Sequence, residues 1–280
     1  MKHLGPTVLA LAAALAVAPL AAGCKKSSTT GATGPTASDT LTLPLAPRAV
    51  GIRWIKVDDT TTDLKIGSGA DATQFGGKRH HKTANEILEV DANGLVTRVK
   101  LTYVERTDTQ LGPGATSPVV GKSYIAWVEG GEISATTADG RAVSSEELLE
   151  ITSDQDELGK PPVMEQIMAR TWKVGVTVPL TAAELERLAA SEGGGEGPRP
   201  STITLTLRAV SGGTAEFAMT MKMESASPPL VIDAAGTAFI DAATGRPKRI
   251  EISGPVSGDA GGTPVSGTMA SLATYEFTDP

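Results

Sequence analysis

Histidine is the side chain best suited to acid–base chemistry and metal binding, and this 280-residue chain holds three. Two stand together, His80 and His81, in Gly76-Gly77-Lys78-Arg79-His80-His81-Lys82. Zinc sites take three or four His, Cys or carboxylate ligands in tetrahedral geometry. Adjacent histidines on an extended strand point to opposite faces and seldom share one ion. The glycines and basic residues around them read as a solvated loop. A serine hydrolase needs a positioned base, and this pair supplies the only histidine candidates outside the N-terminal segment. Gly-x-Ser-x-Gly is absent, Gly67-Ser68-Gly69 reads as a flexible loop, and the body has no Ser-x-x-Lys. Asp154, Asp156 and Glu157 form an acidic cluster. A calcium loop alternates oxygen ligands and ends on a bidentate Glu, and no acid closes a loop after Gly159. The cluster therefore reads as a solvated helix-to-loop linker. These patterns lead us to expect no catalytic residue, no metal site, no cofactor and no enzymatic activity.

Apolar chemistry offers more. Met219, Met221 and Met223 fall at a spacing of two, which puts them on one face of a strand. Methionine adapts its shape and lines promiscuous apolar sites. The three are candidate contacts for a hydrophobic ligand, the alternative being an ordinary sheet core beneath helices. Trp54, Trp127 and Trp172 suit core or pocket-lining positions. With aromatics at 4% of the chain, a stacking platform for single-stranded nucleic acid is hard to build. The formal net charge of −7 also argues against nucleic acid, which needs a basic patch.

The remaining reactive residue is Cys24, the single cysteine, so no intramolecular disulfide can form. Lys2 is followed by an apolar run from Leu4 to Leu20, shorter than the roughly 20 residues of a membrane-spanning helix and arranged like a cleavable signal. The run ends in Leu20-Ala21-Ala22-Gly23-Cys24, which resembles the lipobox of bacterial lipoproteins, with Ala21 where leucine is usual. That resemblance implies removal of residues 1–23 and attachment of lipid, including fatty acyl chains such as palmitate, to Cys24. Each buried methylene contributes roughly 0.8 kcal/mol, so two or more chains anchor stably. Lys25 and Lys26 stand where lipoproteins retained at the inner membrane often carry Asp, which favours the outer membrane. The expected setting is the cell envelope, in the periplasm.

Positioning elements follow from composition and period. Residues 24–43, rich in Ser, Thr, Gly, Ala and Pro, read as lipidated cysteine and flexible tether. Residues 44–280 form the body. Val50–Val57, Leu95–Tyr103, Ser201–Leu207 and Ala215–Met223 read as strands by alternation, as do Tyr124–Val128, Leu230–Ile240, Arg249–Ile252 and Val265–Phe277. Ser144–Leu149, Val163–Met168 and Thr181–Leu188 carry helix-start signals. Gly193–Pro200 reads as an exposed loop. Glu89–Leu101 resembles Phe239–Ile252, each an Asp-Ala, glycine turn and basic residue opening a strand. That likeness suggests either ordinary hairpins or two related halves split near residue 180.

Val119–Tyr124, Asp139–Val143, Trp172–Leu180 and Gly236–Pro247 together resemble a group of bacterial lipoproteins without an assigned activity. A looser resemblance is to curved antiparallel sheets of envelope lipid and lipoprotein carriers. We expect a mainly β fold, an antiparallel curved sheet or incomplete barrel with two or three short helices. Two non-catalytic roles follow as expectations. One is a binding module for lipid or another hydrophobic ligand. The other is a structural lipoprotein with a closed core that meets another envelope protein, and a hydrolase is a distant third reading.

Overall fold

The alternating segments do form strands, and the described residues of the computed structural model are 39–69, 72–109, 117–191 and 198–280. Cys24 and the signal segment lie outside them, as do residues 192–197 of the expected loop. In chain order the strands are β1 (Thr40–Thr42), β2 (Arg53–Ile66), β3 (Thr73–Val90), β4 (Val96–Asp108), β5 (Ser123–Glu129), β6 (Glu132–Thr137) and β7 (Thr171–Lys173). After these come β8 (Thr177–Pro179), β9 (Arg199–Ser211), β10 (Thr214–Ala226), β11 (Pro229–Asp241), β12 (Pro247–Asp259) and β13 (Pro264–Thr278). The helices are α1 (Ser145–Asp154), α2 (Val163–Met168) and α3 (Ala182–Ser191).

One antiparallel sheet of eleven strands runs in the order β6-β5-β4-β3-β2-β13-β12-β11-β10-β9-β8. Its two edges, β6 and β8, do not meet among the described residues, so the sheet is open. This is the expected mainly β, incomplete-barrel class with three helices. The sheet is continuous across residue 180, and the pairing of β2 with β13 joins the early meander to the late one. The two similar hairpins share their turn chemistry. Asp91 Oδ1 accepts from the N–H groups of Asn93 and Leu95, and Asp241 Oδ1 from those of Ala243 and Thr244. A short polar side chain that bonds the backbone just ahead of it favours such a turn.

One face of this sheet is the inside. Leu205, Leu207, Phe217, Ile232, Ala238, Ile252 and Met269 lie on it with residues of α2 and α3 in a large core. Val99, Leu101, Tyr103, Tyr124 and Ala126 lie on it with Ile151 of α1 in a second. Inner-face glycines allow the sheet to curl. A Cβ on Gly236 would stand 1.8 Å from the Glu251 carbonyl oxygen, and one on Gly254 or Gly267 would stand 2.0 Å from a neighbouring strand's carbonyl. Glycine within a strand commonly marks such close backbone approach.

The helices begin as their sequences suggest. Ser144 and Glu147 form a reciprocal capping box on α1, and Thr181 and Glu184 exchange the same pair of bonds on α3. Two departures concern the chain's path. Thr40–Thr42, expected within the tether, instead makes β1, which pairs with β7 through Leu41 and Trp172. Leu41 and Leu43 provide two apolar residues at strand spacing, and Leu43 is buried in the large core. The strap that follows is pinned where Gly245, at φ +72°, leaves no room for a Cβ beside the Pro44 carbonyl. The second departure is the His80–His81 segment, which is not a loop but the middle of β3, paired on both sides.

Gly236→Ala should test the curling directly. The added methyl has no space, and overpacking of this kind costs about 1–3 kcal/mol. Urea unfolding should show a lower midpoint than the parent chain. An unchanged midpoint would mean that the backbone approach at Gly236 is not required.

Candidate functional site

Between the two apolar cores the inner face turns polar. Cross-strand pairing of β2 with β13 stacks Trp54 opposite Phe277, Lys56 opposite Tyr275, Asp58 opposite Ala273 and Thr60 opposite Ser271. On the other side of β2, Lys56 faces Thr83 and Asp58 faces His81. On β4, His81 is followed by Arg106 and Thr83 by Tyr103. The period of two thus puts a lysine, an aspartate, a histidine and several hydroxyls on a face that is mostly apolar in the two cores on either side.

Two kinds of environment coexist in this band. Lys56 Nζ lies 3.0 Å from Asp58 Oδ2, yet the lysine side chain keeps 37% of its surface open while the aspartate keeps 6%. Burial opposes the charge on Lys56, but Tyr275 and the Asp58 carboxylate outweigh it and hold the ammonium above the usual lysine range. Desolvation raises the Tyr275 hydroxyl, and the Lys56 charge only partly offsets this. Lys56 thus sits deep in the concavity and still reaches solvent. Beside it, Trp54, Phe277 and Tyr275 form a partly exposed row, with successive ring centroids 6.3 Å apart. Lys56 lies 6.0 Å over the Tyr275 ring, a favourable place for a cation on an aromatic face.

The other end of the band is closed. His81 is buried and stacks on Tyr103 at 5.4 Å. Its Nε2 is 3.7 Å from Asp154 at the end of α1, and Arg106 bridges Glu150 and Asp154 at 3.1 and 3.3 Å. The acidic cluster is therefore not simply a solvated linker, since Asp154 turns inward to an arginine. Asp58 Oδ1, His81 Nε2 and Asn85 Oδ1 are buried without a hydrogen bond, the kind of group that calls for water or a ligand. Helix α1 is fixed over this region by Glu147, which accepts from Lys122 at 2.8 Å and from the Tyr124 hydroxyl at 2.7 Å. Lys122, the Ser144 N–H and Tyr124 hold its carboxyl down at about 2.

The three methionines share the inner face as expected. Met219 and Met223 are buried, and Met221 partly so, in the core packed by Val163, Ile167 and Leu188 of α2 and α3. Their place is thus already filled by the chain's own helices. His80 points to the outer face, 2.8 Å from Asp59 and 3.5 Å from Glu105, so the two histidines are on opposite faces. Among the described residues no group of three His, Cys, Asp or Glu side chains is placed to hold a metal ion. A recess of about 510 Å³ is lined by Arg53, Trp54, Ile55, Asn85, Glu86, Lys100 and Glu276, among others. Sequence reading missed the pairing of Lys56 with Tyr275. The available signal was a charged Lys56 at an inner-face position two residues from Trp54.

The buried imidazole gives a pH prediction. Burial pushes His81 from 6.5 down to about 4. Between these values the unfolded chain binds the proton and the folded one does not, so stability falls as pH is lowered from 6.5 to 4 and is fully present above 6.5. The contribution is on the order of 3 kcal/mol. His81→Phe keeps the stack on Tyr103 and should flatten this part of the stability–pH curve. An unaltered slope in the variant would assign the effect to other groups.

No protein-family model matches the chain, and no curated protein matches its sequence. Among solved structures, one described as lipid–protein interactions in lipovitellin is similar with a TM-score of 0.42 and 9% identity, over 82% of this chain and 26% of that one. The chain thus spans about a quarter of that relative's length. Ail, the attachment invasion locus protein of Yersinia pestis, is similar with a TM-score of 0.18 and 6% identity, over 81% of this chain and 100% of Ail. Neither likeness bears on what this chain binds.

Proposed function

We propose that the protein is a lipid-anchored, non-catalytic component of the bacterial envelope that holds a hydrophobic or amphiphilic ligand against the inner face of its open sheet. The observation that carries this reading is the uneven cover of that face. Helix α1 packs beside β6, α3 packs over β9, and α2 packs against α3. In the centre, Trp54, Tyr275 and Phe277 remain partly open beside Lys56. Large aromatic side chains left open in a concavity favour ligand binding, because covering them removes apolar surface from water. The ligand seat in this reading is the β2–β13 floor rather than the methionine stripe.

Anchoring rests on the Leu20–Cys24 segment. The described chain starts at Asp39, fifteen residues after Cys24. A stretch of that length spans at most about 50 Å, so the body would stay close to the bilayer. Lys25 and Lys26 support the outer membrane as the site. A second reading, a closed-core structural protein that meets another envelope protein, draws on the packed methionines beneath α2 and α3.

Two measurements test these readings. Protein recovered from native membranes should carry co-purifying lipid in an intact mass spectrum, and repeated recovery without any ligand would favour the closed-core alternative. Cys24→Ser should move the protein from the membrane fraction to the soluble envelope fraction. Retention of the variant on membranes would overturn the anchor.

A further inference from the structure

The strap between β1 and β2 is apolar on the outside as well as the inside. Leu43 and Ile52, at its two ends, are buried, while Pro44, Leu45, Pro47, Ala49 and Val50 are exposed. Every exposed residue of the strap is therefore apolar, with Leu45 53% and Val50 58% open. Its one charged residue, Arg48, turns to Glu165 of α2 at 3.0 Å and keeps only 19% of its side-chain surface. Single exposed apolar residues are ordinary, but a cluster of them marks a surface that meets a membrane or another protein.

The strap is fixed at both ends, so this surface is presented rather than free to turn inward. The Pro44 carbonyl lies against Gly245 in the turn between β11 and β12. At the other end the Gly51 N–H donates to the Ile87 carbonyl at 2.9 Å, and the Ile87 N–H returns a bond of the same length to Ile52. Gly51, at φ +90°, leaves a Cβ only 2.9 Å from Pro280. The strap thus runs along the end of the sheet where β3, β11 and β13 finish. An apolar medium suits its backbone as well. Each N–H taken out of water needs a partner, and Pro44 and Pro47 carry no N–H.

The path of the chain indicates what covers this surface. The Asp39 carbonyl accepts from the Val174 N–H at 2.8 Å, and the strap begins five residues further on, at Pro44. In the other direction Cys24 is fifteen residues away, a reach of at most about 50 Å. Lipid on Cys24 keeps the strap beside a bilayer, where a contact too weak to hold the free protein becomes intramolecular and effective. We propose that residues 44–50 are the edge of the body that rests on the membrane, with Leu45 and Val50 in the lipid interface. This rests on the lipid anchor at Cys24 proposed above. The opposite end of the sheet then points away from the bilayer. Phe75 pairs there with Leu64, eleven residues along β2 from Arg53, which is roughly 35 Å of strand.

Depth-dependent quenching tests the assignment. With Cys24 acylated, an added cysteine is the only free thiol, and all the chosen sites are exposed. Lipidated protein carrying Leu45→Cys, Val50→Cys or Phe75→Cys is labelled with an environment-sensitive dye. It is then placed in vesicles of phosphatidylethanolamine and phosphatidylglycerol that contain a nitroxide-bearing lipid. Dyes at 45 and 50 should be quenched several-fold more than the dye at 75. In a second variant, Leu45→Ser with Val50→Ser, a dye on Ala49→Cys should lose most of its quenching, while the protein still floats with the vesicles and melts at the parent temperature. Equal quenching at the three sites, or none at 45 and 50, in protein that floats overturns the strap as the membrane edge and leaves the anchor standing. Failure of the lipidated parent to float overturns the anchor and the strap contact with it. If the unlipidated Cys24→Ser protein dimerises and shields dyes at 45 and 50 without vesicles, the surface belongs to a second copy and the bilayer assignment is overturned.

Discussion

The ladder between β2 and β13 holds residues 53–66 against residues 265–278, so the first and last long strands of the body lie side by side. Every other strand of the large sheet is arranged outward from this seam, and the hairpins on each side add contacts local in sequence. The seam itself is not local. Closing a loop of that length costs entropy that grows only slowly with length, and fourteen residues of β2 offset it with backbone bonds. The two apolar cores are on one continuous face because this ladder joins them.

The seam is also where the face ceases to be apolar. Thr60, Ser271, Asp58 and His81 are buried on the sheet's inner side, in positions that Leu, Phe and Ile occupy elsewhere. Burying polar groups without full hydrogen bonding lowers stability, so the band works against the core it divides. The protein keeps it within a few rungs. Tyr103 covers His81, Arg106 engages two acids of α1, and Lys56 turns toward Asp58. This arrangement separates a dry region at His81 from a wet one at Lys56 within one or two residues.

The polar band also explains which parts of the fold could be read from the sequence. Strands β9, β10 and β11 alternate cleanly because one face is uniformly apolar. All three helices begin at their capping or proline signals. Alternation vanishes in Asp58-Asp59-Thr60-Thr61-Thr62-Asp63 and in Lys78–Thr83, where both faces carry polar residues. The second half of β2 and the first half of β3 show no strand period for that reason, and residues 83–88 are missed as well, because Thr83 and Asn85 put polar residues on the inner face. β1 and β7, with three residues each, are too short to show a period. The pairing of Lys56 with Tyr275 was illegible for another reason. The two are neighbours across a ladder that no local pattern encodes, whereas Met219, Met221 and Met223 announced themselves within one strand.

An unclosed sheet has two margins with backbone groups that a foreign strand could take up. Here β8 offers three residues and ends in Pro179, which has no N–H to give. At the opposite margin Ala142 folds back onto Thr136 in an isolated bridge and occupies part of the β6 edge. The sheet can therefore stay open while discouraging other chains from extending it, so close approach of many copies need not lead to edge-to-edge polymers.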